Sequence, residues 1–133
     1  MSFSTQVSLF VERTKEGKKK TRDKVLLKLF GAIIKDTPVD KGRLIGNWNT
    51  NVGSPDLSTS EAEGPEISEA KAKVWVNAAK LRDEIYFTNN LPYAEAIENG
   101  HGGRSPGVMV QKNVLRFKRL MSKEAAIQRR KKK

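Results

Sequence analysis

The sequence predicts an α+β fold: a small antiparallel sheet packed against long N-terminal and C-terminal helices. Apolar residues recur at helical spacing near both ends of the chain. Between them lie two short stretches, Leu44–Val52 and Ile85–Thr88, with the composition and alternation of strands. At 133 residues the chain is long enough for one modest core. Residues 1–133 are therefore read as a single domain, with a long polar loop at 53–66 and a basic tail at 128–133.

The elements follow in order. Phe3, Val7, Phe10 and Val11, then Leu26, Leu29, Phe30, Ile33 and Ile34, repeat at helical spacing. The segment between them, Glu12 to Lys24, is almost wholly polar and holds Gly17 and the run Lys18, Lys19, Lys20. The spacing predicts helix from Phe3 to Lys35. It is either one helix of about 30 residues, roughly 45–50 Å at 1.5 Å per residue, or two jointed near Gly17. The lysine run reads as a solvated helix face or as a contact with phosphates or an acidic neighbour. Pro38 ends the helix, because the residue before a proline is pushed out of the α region. Val39 to Gly42 is then a turn. In the Leu44–Val52 strand, Leu44, Gly46, Trp48 and Thr50 share a face, and Trp48 is expected as a core or interface residue.

Residues 53–66 are polar, contain two prolines and are long for a connection inside a small domain. They are expected to form a projecting arm or β-excursion that orders on assembly, or a disordered tip. Ile67 to Leu81 is alanine-rich and predicts a helix, with Ala70, Val74, Asn77 or Ala78, and Leu81 on the buried stripe, while Trp75 and Val76 leave a strand as the alternative. After the Ile85–Thr88 strand, Asn89 and Asn90 supply turn chemistry. Pro92 suits the first position of a short helix, where its missing N–H is no loss. Tyr93, Ala94 and Ile97 share a face of that helix, and Gly100 sits at a left-handed C-cap. Gly102 and Gly103 form a flexible loop closed by Pro106 and Gly107. In the last helix, Val110, Val114, Phe117, Met121 and Ala125 make one apolar stripe, while Arg116, Lys118, Arg119 and Lys123 lie on other faces.

The net charge of +11 is unevenly spread. Residues 1–43 carry +6, residues 44–111 carry −4, and residues 112–133 carry +9. Two basic ends flank an acidic middle. That pattern suits association of one copy's basic end with another's acidic middle, or approach to nucleic acid.

Several function classes are disfavoured. There are no cysteines, which excludes disulfides and thiol chemistry and is compatible with a reducing cytosol. No run is long enough to span a membrane, and the first residues lack a signal-peptide pattern, so a soluble, non-exported protein is expected. His101 is the only histidine and lies in a glycine-rich loop. Glu95 and Glu98 are three residues apart on a short helix, where solvated or ion-paired carboxylates are usual. No catalytic, metal or cofactor constellation is visible, so the chain is not read as an enzyme.

DNA binding is the serious rival among non-enzymatic readings. A +9 segment neutralises phosphates, yet Phe117 is its only aromatic residue and no base-reading module is present. The alternative is therefore a basic accessory protein that binds DNA non-specifically. Candidate DNA or subunit contacts are Lys18, Lys19, Lys20, Arg116, Lys118, Arg119, Lys123, Arg129 and Arg130.

Two blocks carry a resemblance. The first is Thr37-Pro38-Val39-Asp40-Lys41-Gly42-Arg43-Leu44, followed by Trp48. The second is Asn89-Asn90-Leu91-Pro92-Tyr93-Ala94, followed by Glu98, Gly100 and Pro106-Gly107-Val108-Met109-Val110. In this order and spacing they resemble the tail-completion proteins of tailed bacteriophages (neck, minor tail or head–tail joining proteins). The chain departs from that pattern at Asn99, where the family often has an aromatic residue. It departs again at Gly102, Gly103 and Arg104, where the family often has Ser and Gln. The resemblance implies a structural virion protein that completes the head-proximal end of the tail and joins it to the head connector. It implies a homo-oligomeric ring, typically a hexamer, around the DNA path. The implied partners are other copies, the tail tube or terminator protein, head connector or adaptor proteins, and DNA in the lumen through non-specific contact. No membrane is implied. The implied location is the virion neck, after assembly in the host cytoplasm. In this reading the second block sets a strand-to-helix corner with Tyr93 packed on the sheet. Tyr93→Ala is then expected to cost roughly 2–4 kcal/mol.

Overall fold

Three antiparallel strands form one sheet: β1 (Val7–Val11), β2 (Trp48–Val52) and β3 (Ile85–Asn89), in the order β1-β3-β2. Among the described residues four α-helices accompany it: α1 (Lys19–Asp36), α2 (Glu66–Ala78), α3 (Ala94–Glu98) and α4 (Gln111–Lys131). The computed structural model describes residues 7–11, 19–39, 42–100 and 102–131. The architecture is mixed α+β.

The N-terminal expectation is overturned. Val7–Val11 is an edge strand paired with β3, Val7 opposite Asn89 and Val11 opposite Ile85, and helix begins only at Lys19. Val7, Phe10 and Val11 fit helical spacing, but two of the three are β-branched and equally suit a strand. A free edge on β3 decides between the two, because pairing satisfies the backbone groups of both strands. Strand β2 takes the other side of β3, with Trp48 opposite Asn89 and Val52 opposite Ile85. The predicted Leu44–Val52 strand is shorter than expected, because Ile45–Asn47 is a 3-10 turn that leads into it.

Alternation along the strands sends Trp48 and Phe87 to the helical side of the sheet. The Phe87 ring lies between those of Phe30 and Trp48, with centroids 4.2 Å and 4.8 Å away and the planes nearly parallel. Leu26, Ile33, Leu44, Val76, Leu91 and Met109 complete the buried cluster around this stack. Trp48 is thus a core residue, as its composition suggests. Its indole N–H donates to Thr37 Oγ1 at 2.8 Å, and the Thr37 hydroxyl donates to the Ile33 carbonyl at 2.7 Å. The burial of the indole therefore leaves no polar group unpaired.

Helix α1 packs against both α2 and α4. Arg22 of α1 is buried and donates to the carbonyls of Ala79, Lys80 and Leu81, at 2.9, 2.6 and 3.3 Å. It thereby satisfies main-chain acceptors just past the end of α2, and Asp23 balances its charge at 2.8 Å.

The buried face of α2 is not the predicted one. Ser68, Ala72 and Val76 are buried, whereas Ala70, Val74 and Ala78 are exposed. Ser68 explains the register. Its hydroxyl donates to the Ile45 carbonyl at 2.7 Å and accepts the Trp48 N–H at 3.2 Å. An alanine-rich helix has two faces of similar hydrophobicity, so a specific polar contact selects between them.

Residues 53–63 form neither an arm nor a loose tip. They lie against the side of the sheet opposite the aromatic stack. Asn49 donates to the Ser58 carbonyl at 2.9 Å, Thr88 to the Asp56 carbonyl at 2.8 Å, and Asn90 to both, at 3.1 and 2.8 Å respectively. Within the strap, the Asp56 carboxylate accepts the Ser58 hydroxyl and N–H.

Candidate functional site

The two sequence blocks meet at one corner. Gly42 has φ +82, a conformation that costs a glycine little. Its carbonyl accepts the N–H of Gly46 at 3.2 Å and of Gly64 at 2.9 Å. Arg43 donates to the Ser60 carbonyl at 3.1 Å and lies 3.4 Å from Glu61. Asn47 bridges the same segments, donating to the carbonyls of Arg43 and Ser60 and accepting the Ser60 N–H. The buried Asn89 amide then donates to the Leu44 carbonyl at 2.9 Å, and its oxygen accepts the Leu91 N–H at 3.3 Å. Leu44, Trp48, Leu91 and Ala94 are all buried beside these bonds.

Tyr93 is a correction. It is 43% exposed and does not pack in the core, which Leu91 and Ala94 enter instead. Tyr93 occupies the N-cap position of α3 and the exposed Pro92 precedes it, so Pro92 lies just outside the helix rather than at its first position. Gly100 adopts φ +99 and passes within a Cβ's reach of the Arg104 carbonyl, consistent with the expected C-cap.

Glu98 has a role that spacing alone did not reveal. One carboxylate oxygen accepts the N–H groups of Met109 and Val110, at 2.9 and 3.0 Å, and the other accepts that of Gln111 at 2.9 Å. Its carbonyl also accepts the Gly107 N–H. Glu98 therefore caps the start of α4 across the glycine loop, where negative charge also suits the helix dipole. Both oxygens are engaged with backbone N–H groups. Of the predicted motif residues, Asp40 lies outside the described residues, as does His101. Val39 and Pro106 are exposed.

The predicted basic contacts divide. Lys18 lies outside the described residues. Lys19 is used locally, paired with Asp23 and donating to the Asn77 carbonyl at 2.9 Å, while Lys20 is exposed. On α4, Lys118, Arg119, Lys123, Arg129 and Arg130 are exposed. Arg116 and Lys112 approach Asp36 at 4.0 and 3.4 Å, and Asn113 donates to the same carboxylate at 2.9 Å. Burial pushes the Asp36 carboxyl up, but these partners outweigh it and hold the group below its ordinary 3.8. Asp36 thus ties the end of α1 to the start of α4. Val110 and Phe117 pack on the core as the stripe predicts, while the side chains of Met121 and Ala125 lie outside the described residues.

Among the described residues, no group of His, Cys, Asp or Glu is arranged to hold a metal ion, and no helix is long and apolar enough to cross a membrane. What remains is an architectural corner and two exposed helix faces: an apolar one on α2 and a basic one on α4. In comparisons with known proteins, no family model, curated protein or solved structure matches this chain.

Proposed function

We propose that this protein is a structural component of a bacteriophage neck, completing the head-proximal end of the tail and joining it to the head connector. In this role copies form a ring, hexameric by the family's habit, around the DNA path. The proposal also takes in the family's layout of long N- and C-terminal helices, with α1 and α4 in those places. The observation that supports it is the convergence of the two motif blocks. Residues about forty-five positions apart are joined by the Asn89–Leu44 bond and by the pairing of Trp48 with Asn89. Motif residues that hold one another explain why a family would carry both blocks together, with Glu98 positioning the last helix. Their roles are structural, which fits a protein that works by assembly.

The test is solution mass by light scattering, at low and moderate salt, with and without purified tail tubes. A ring, or a monomer that joins only tube ends, supports the proposal. A monomer that ignores tubes and connectors overturns it.

The exposed cations of α4 favour a second reading, non-specific DNA binding by a basic accessory protein. Filter binding with duplex DNA over a salt series tests it. Steeply salt-dependent affinity from a monomer that does not bind tubes is the outcome it requires.

A further inference from the structure

We infer that copies of this chain join head to tail, with the outer face of α4 on one copy seated against the outer face of α2 on the next. The inference rests on the ring reading above and names its interface.

The first observation is the apolar face of α2. Ile67, Val74 and Trp75 are 48, 63 and 40% exposed, and Ala70 and Ala78 lie exposed on the same side. These residues recur at 67, 70, 74 and 78, a stripe as regular as the buried one. Among the described residues none covers it, α4 included. A stripe of this kind on a small domain marks a site for a partner.

Charge supplies the second observation. The exposed Glu63, Glu66 and Glu69 surround the start of α2, and residues 61–70 hold four carboxylates and no cation. On α4, Leu115 is 55% exposed and Ser122 is exposed, with Lys118, Arg119 and Lys123 on or beside the same face. Residues 112–131 hold eight cations and one carboxylate. One face is acidic and apolar, and the other is basic with an apolar residue at its centre.

A second copy is the occupant that satisfies both faces at once. DNA would answer the cations of α4 and leave the α2 stripe wet, and an unrelated basic partner would leave α4 unmatched. The two patches differ, so the contact is heterologous and propagates until the rotation closes it into a ring. Opposed charges fix the register and direction, while the apolar stripe is desolvated.

The test is charge reversal in the full chain, read by light scattering and sedimentation, with circular dichroism melts to confirm folding. One variant carries Glu66→Lys with Glu69→Lys, and the other carries Lys118→Glu with Arg119→Glu. Each alone is expected to weaken assembly at least about tenfold, because like charges then face each other. An equimolar mixture is expected to regain wild-type mass, since alternating copies restore opposite charge at every contact. Assembly should also shift the emission of the exposed Trp75 to the blue, while the buried Trp48 contributes no change.

If folded variants keep wild-type mass, or if their mixture does not reassemble, the interface is wrong and the ring reading stands. If charge reversal on α4 abolishes only DNA retention, α4 belongs to DNA and the inference falls. A wild-type chain that is monomeric alone and beside tail tubes overturns the ring and the interface together.

Discussion

One face of the sheet meets α1 through stacked rings, whereas the opposite face meets residues 53–63 through side-chain amides and a hydroxyl. On the first, Phe87 is stacked between Phe30 and Trp48, and all three side chains are fully buried. On the second, Asn49 and Thr88 are directly opposite each other in the β2–β3 ladder and both hold main-chain carbonyls of the strap. Both faces are buried at these positions, yet one is closed by dispersion and the hydrophobic effect and the other by hydrogen bonds. The difference teaches that burial in this molecule is not a proxy for hydrophobicity. A polar stretch is pinned as closely as an apolar one when the strand beneath it offers donors at the right spacing.

The comparison can be broken hardest at the rings. Phe87→Ala removes the middle of the stack and leaves a cavity, with an expected loss of about 3–5 kcal/mol in urea unfolding. A loss under about 1 kcal/mol would mean that the stack contributes little beyond what its neighbours can recover.

The polar face should yield less. Thr88→Val combined with Asn90→Ala strips both side-chain donors from the Asp56 carbonyl and one from that of Ser58. The expected cost is about 2–3 kcal/mol, together with faster proteolytic cleavage inside residues 53–63. Cleavage no faster than in the wild type would show that the strap is held by something else.

Acid sharpens the contrast. Hydrogen bonds from the hydroxyl and N–H of Ser58 hold the Asp56 carboxyl below its ordinary 3.8. A carboxyl lowered in the folded state stabilises the fold above the unfolded value and loses that contribution as pH falls below it. Stability should therefore drop between about pH 5 and about pH 3, and Ser58→Ala should lose less across that window. Asp36 is lowered as well, so the α1–α4 contact also loses stability in acid, and the comparison with Ser58→Ala isolates the strap. Equal losses in both proteins would remove Asp56 from the account.

The smallest effect is expected at Tyr93. Its ring is largely outside the core, so Tyr93→Ala should change stability by no more than about 0.5 kcal/mol. A cost above about 2 kcal/mol would restore the sequence-based expectation that this ring packs on the sheet.

What was legible in the sequence follows the strength of local patterns. The α1 stripe from Leu26 to Ile34, the strand at Ile85 and the glycine at the end of α3 were readable, because each depends on residues within a few positions, although β3 runs through Asn89, which the local pattern places in the turn. The failures share another cause. Val7–Val11 fits two periods, and only the unpaired edge of β3 chooses the strand. The α2 register turns on Ser68 reaching Ile45 and Trp48, twenty or more residues away. Glu98 caps a helix that starts thirteen residues later, across a loop whose path no local rule supplies. Arg22 lies in the polar stretch before Lys24, and its burial follows only from α2 ending beside it.

By itself, then, the amino-acid order determined the class of fold, the helix and strand content of the middle and C-terminal parts, the uneven charge, and the two blocks that suggest a phage neck. Those properties reside in composition and short-range spacing. The tertiary structure decided which α2 face is buried, that the polar segment is a strap, and that the motif residues are braces for one another. These outcomes depend on unpaired donors and acceptors finding partners across the fold, and a buried polar group accepts whatever partner the packing brings to it.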